Sequence, residues 1–136
     1  MVRWFRYLFA ALAWLFLLGV VVQTFYAGIG FFGGGDFEAH VTLGWSLHLA
    51  PILVLVAAAL GRVGRTALLW TAALVVDVFI QPILALFRDM PAVAALHPVN
   101  ALLVFAISII VARQAWTLAR TADVPPEPER PAEAAA

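Results

Sequence analysis

Four long apolar runs, at 4–30, 37–60, 67–87 and 92–112, leave this chain few folds to choose from. A helix needs about 20 apolar residues to cross the hydrocarbon core of a bilayer, and each run meets that length. Backbone N–H and C=O groups find no water in hydrocarbon, so segments like these must bond internally as helices. The links at 31–36, 61–66 and 88–91 are short, which makes consecutive helices antiparallel. The expectation is an all-α integral membrane protein, an up-down four-helix bundle over residues 1–120. The first run follows Arg3 and is broken only by Arg6 and Gln23. It is too long for a signal peptide's apolar region of about 7–15 residues, so it reads as a retained span.

Composition supports lipid exposure. Hydrophobic residues make up 65% of the 136 and charged residues 12%, where a soluble domain carries about a quarter charged. So small a body cannot bury that apolar surplus, and lipid must cover it. Formal net charge is zero and no basic stripe forms, which argues against nucleic acid as a partner. The absence of cysteine removes disulfides, thiolate metal sites and iron–sulfur clusters. No P-loop, dinucleotide fingerprint or serine nucleophile elbow supports soluble catalysis. Residues 121–136 turn to Pro, Glu and Ala, the composition of a disordered tail. No internal repeat is legible.

Arginine sets the expected orientation. Arg3, Arg6, Arg62, Arg65, Arg113 and Arg120 fall on one side of the predicted bundle, while Arg88 falls on the other with Asp36, Glu38 and Asp89. The positive-inside rule then puts both termini in the cytoplasm, in a multi-pass protein of the cell (inner or plasma) membrane.

The residues that a membrane span should not contain are the candidate site. The second run carries His40, Gly44, His48 and Pro51 on one helical face. The first contributes Gln23, the third Asp77 and Gln81, the fourth His97 and Asn100. At a rise of about 1.5 Å per residue, His40 lies roughly 5 Å in from the outer end, and Gln23, Gln81 and His97 roughly 8–11 Å. His48 and Asp77 reach about 15 Å, near the midplane. Unpaired polar groups are costly in lipid, so these should turn inward and meet as one cluster in the outward half of the bundle. His48 is the ionisable group expected at the depth of Asp77, which makes a His48–Asp77 pair the leading assignment, as a proton relay or as a bond between helices. Pro51 and Pro82 remove helical donors to Leu47 and Val78 beside the cluster. Pro98 leaves the start of the fourth helix open, with His97 as a possible N-cap after a short interfacial piece at 92–96.

Several chemistries fit these residues. His97 with His40 or His48 could ligate a b-type haem from two helices, with Gly44 leaving room for the macrocycle. His40 and His48 stand about 12 Å apart along one helix and cannot share one iron. A quinone-type pocket of His, Gln and aromatic neighbours is a second redox reading. A non-haem metal site of histidines with Asp77 is a third. Against these stands a non-enzymatic accessory or assembly subunit, whose histidines and glutamines only join helices. A small proton-coupled transporter is disfavoured by the apolar inner half, unless the protein forms a homo-oligomer. Gly19, Gly28 and Gly30 could support such close packing with a second copy or another membrane partner.

The pattern Gln23-x-x-x-Ala27-Gly28, His40-x-x-x-Gly44, Gln81 and Leu96-His97-Pro98-x-Asn100 resembles an uncharacterised family of small four-span bacterial membrane proteins common in actinobacteria. The resemblance covers roughly residues 4–118. It implies that His40 and His97 belong to the family's pattern, with His48 and Asp77 less firmly attached, and it implies no known activity.

Overall fold

The computed structural model describes residues 1–121, so the expected Pro/Glu/Ala tail lies outside the described residues. Six helices follow in order: α1 Val2–Phe32, α2 Glu38–His48, α3 Ala50–Leu60, α4 Arg65–Leu86, α5 Pro91–Ala94 and α6 Leu96–Thr121. They make four membrane-length spans, Val2–Phe32, Glu38–Leu60, Arg65–Leu86 and Pro91–Thr121. The protein is therefore an all-helical, multi-pass membrane protein.

Two spans are interrupted, both beside a proline. The second breaks at Leu49, and Pro51 then sits in the first turn of α3, where its missing N–H costs no helical bond. The fourth opens as the single turn α5, breaks at Ala95 and restarts as α6, with Pro98 in the first turn. His97 thus lies inside α6 rather than capping it. Pro82 is carried within a continuous α4. The α1–α2 turn uses Gly34 and Gly35, both at φ 96°, a region that side-chain-bearing residues rarely adopt. Asp36 Oδ1 then accepts from the Glu38 N–H at 2.9 Å and starts α2.

α1 packs against α3 and α6, and α4 packs against the same two, while α1–α4 and α3–α6 contacts are marginal or absent. The first and third spans therefore face each other across one diagonal of the bundle, and the second and fourth across the other. Among the described residues, all arginines except Arg88 lie at the end formed by the start of α1, the 61–64 loop and the end of α6. That end, and the middle, hold the packed core: Phe9, Phe16, Val54, Leu74, Val104 and Val111, with alanines such as Ala13, Ala58, Ala112 and Ala115 where helices approach closely. The buried hydroxyls of Thr71 and Ser108 donate to the carbonyls of Ala67 and Val104, at 2.8 and 2.7 Å, so they ask nothing of neighbouring helices. By contrast, α2 at the other end buries no residue fully. Large apolar side chains such as Trp4, Leu15, Trp45 and Leu102 project outward, as lipid contact requires.

Candidate functional site

The polar cluster is built from two copies of one device. In the α1–α2 hairpin, Gln23 Nε2 donates to the His40 carbonyl at 2.7 Å, and His40 Nδ1 meets the Gln23 carbonyl at 3.1 Å. In the α4–α6 hairpin, Gln81 Nε2 donates to the His97 carbonyl at 3.0 Å, and His97 Nδ1 meets the Gln81 carbonyl at 2.9 Å. Each side chain thus bonds the other residue's backbone, and each hairpin is clamped twice at one level. The Gln-to-His separations, 17 and 16 residues, nearly match. That spacing is the signal from which the pairing could have been read. A repeat that residue identity does not reveal is therefore present in the geometry.

A carbonyl oxygen can only accept, so Nδ1 of both histidines carries the proton. In the neutral ring, Nε2 is then a lone-pair acceptor. The two rings come from diagonal spans and lie with centres 6.3 Å apart, at 74° to each other. Gln81 Nε2 also lies 3.5 Å from His97 Nε2, a long approach that suits an acceptor there.

Asn100 distinguishes the second hairpin. Its Nδ2 donates to Gln81 Oε1 at 2.7 Å and to the main-chain carbonyl of Asp77 at 3.2 Å. Gln81 is thereby fully engaged, while Gln23 Oε1 is buried with no partner. Asp77 is buried to 6% exposure, and its Oδ2 likewise has no partner. The two buried oxygens left over here, Gln23 Oε1 and Asp77 Oδ2, are acceptors. A surplus of buried acceptors attracts a proton, a metal ion or another donor, and repels anions.

Gly44 does not leave a gap. A Cβ placed there would stand 2.8 Å from Gln23 Nε2, so the space is taken by the Gln23 amide on its way to His40. The expectation that Gly44 makes room for a macrocycle is replaced by this one: it admits the clamp.

The structure does not join His48 to Asp77. The His48 ring lies against Phe79, centres 4.3 Å apart, and near Trp45 at 5.6 Å. Phe79 follows Asp77 by two residues, about 200° around the helix, so a ring resting on Phe79 is turned away from the Asp77 carboxyl. Nor do three His, Asp or Glu side chains gather as metal ligands among the described residues. The pair brought together across the bundle is His40 and His97.

A family model, described as a family of unknown function (DUF6220), matches residues 23–89. The match begins at Gln23 and takes in His40, Gly44, Asp77 and Gln81, and stops short of His97 and Asn100. No curated protein and no solved structure matches the chain.

Proposed function

We propose that the outward end of this bundle is a site for a b-type haem, which the imidazoles of His40 and His97 would hold through Nε2, and that the protein serves membrane electron transfer. The carrying observation is the pair of diagonal imidazoles, each with Nδ1 fixed on a backbone carbonyl. A ligating histidine commonly donates its other ring N–H in this way, which fixes the tautomer and ring orientation. The ring centres stand 6.3 Å apart, so the two imidazoles are the side chains that would hold the group. A haem brings its own equatorial ligands, so two imidazoles suffice where a non-haem ion would need more. The buried surplus of acceptors suits a metal better than a quinone, whose carbonyl oxygens require donors. When bound, the group would supply one-electron redox chemistry, and this chain's residues would orient the two imidazoles and exclude water.

The test is an absorbance spectrum of the protein purified in detergent from haem-replete cells. A Soret band that is lost on His40→Ala or His97→Ala supports the assignment, and a colourless protein overturns it. The arginine asymmetry, read through the positive-inside rule, supports the further reading that both termini are cytoplasmic in a cell-membrane protein. The chain has no cysteine, so single Asp89→Cys and Arg120→Cys variants can be labelled from one side at a time. Of the two, only the Asp89→Cys variant should react from outside intact cells.

A second reading is an accessory or assembly subunit in which the clamps serve only to hold helices together. What favours it is that each hydrogen bond made by Gln23, His40, Gln81 and His97 joins the two spans of one hairpin. It predicts a colourless protein whose assembly with membrane partners survives His40→Gln and His97→Gln.

A further inference from the structure

We propose a binding site for an anionic phospholipid headgroup at the arginine end, between the start of α4 and the end of α6. This site stands apart from the histidine centre and does not depend on it.

The 61–64 loop is a built structure. Arg6 Nε donates to the Gly61 carbonyl at 3.0 Å, tying the start of α1 to the end of α3. Arg62 takes φ 48° and Gly64 φ 88°, and between them Val63 turns into the core at 7% exposure. Beside Val63 lies a shallow, open surface cavity of about 400 Å³. Its lining combines the polar side chains of Thr66, Arg113, Gln114 and Thr117 with the apolar ones of Val63, Ala67 and Leu118, a mixture that suits a headgroup and the first carbons of its chains.

Three features give the cavity its chemistry. Arg113 lines it, and Arg62 and Arg65 adjoin the lining residues Val63 and Thr66 in the chain; none of the three has an acidic partner among the described residues, whose four acids, Asp36, Glu38, Asp77 and Asp89, lie at the midplane or the opposite end. The Thr66 hydroxyl has no hydrogen bond within the described residues, and no side chain caps the first N–H groups of α4. These are donors and positive charge suited to a phosphodiester. Finally, Gln114 Oε1 is buried with no partner, an acceptor for a headgroup hydroxyl. Phosphatidylglycerol is a phosphodiester of this kind, with net negative charge and free hydroxyls on its headgroup. The ends of membrane-spanning helices place the cavity at the depth of lipid phosphates, which favours a lipid over free phosphate.

The experiment is native mass spectrometry of the full chain in mild detergent, with phosphatidylglycerol, phosphatidylcholine or inorganic phosphate added in turn. Phosphatidylglycerol adducts should persist where phosphatidylcholine adducts do not, and inorganic phosphate should add nothing. Arg113→Gln should weaken the phosphatidylglycerol adduct about fivefold, the worth of one basic contact at the membrane surface. Thr66→Val should weaken it less, and Arg88→Gln, the same charge loss at the far end, should leave it unchanged. Equal retention of both lipids, an undiminished adduct in Arg113→Gln, or equal binding of inorganic phosphate would each overturn the assignment. The melting temperature of each variant, measured without lipid, separates lost binding from lost fold.

Discussion

In the α1–α2 hairpin, Gln23 Oε1 is buried without a partner, and in the α4–α6 hairpin the same atom of Gln81 accepts from Asn100. The two clamps share the same pair of side-chain-to-carbonyl bonds. Four residues before each glutamine the hairpins part again. Gly19 leaves room for Leu47, whose Cδ2 would lie 2.7 Å from an added Cβ, whereas Asp77 brings a buried carboxyl and a carbonyl that receives Asn100. One hairpin closes on apolar packing and leaves an acceptor over. The other extends its clamp into a polar chain toward the midplane. The comparison shows that clamping a hairpin in lipid needs only one Gln and one His. What the second hairpin adds is excess to that purpose, and it lies next to the ring that faces His40.

The largest effect should come from removing an imidazole. His40→Ala or His97→Ala should abolish any Soret absorbance, and if only one of them does, the rings do not act as a pair. Next, the two glutamines can be compared as leucines of similar size. Gln81→Leu loses the bond to the His97 carbonyl and the shorter of the two bonds that Asn100 Nδ2 makes, while Gln23→Leu loses only the bond to the His40 carbonyl. Denaturant titration in detergent should show about 2 kcal/mol for the first and about 1 kcal/mol for the second. Equal costs would mean that Asn100 adds nothing to the second clamp.

Gly44→Ala should cost about 1 kcal/mol, because the Gln23 amide must shift away from the new Cβ. The same change in a Gln23→Ala background should cost little, and a double-mutant cycle reads the difference. The smallest effect is expected from Asp77→Asn. It keeps shape, and the carboxyl's Oδ2 has no partner to lose, so stability should change by less than about 1 kcal/mol. A larger loss would show that the Asp77 carboxyl holds something the clamps do not.

The sequence by itself determined four helical spans, because hydrocarbon admits no other way to satisfy so much backbone, and short links made them antiparallel. It also placed Gln23, His40, Gln81 and His97 at one level, because rise per residue converts position into depth. It could not assign partners within that level. Depth matched His48 to Asp77, yet rotation about α4 parts them, since a two-residue step carries Phe79 to the other side of the helix. Gly44 read as empty space because a missing side chain looks like a gap until a neighbour is seen to fill it. The arginine end read only as a topology signal, and the cavity beside Val63 arises from a loop conformation that no residue pattern announces. Tertiary packing decided which helices stand on the diagonals, and so which two histidines meet. Four antiparallel helices can close in either hand and at any rotation about their axes, and only the contacts between faces select one.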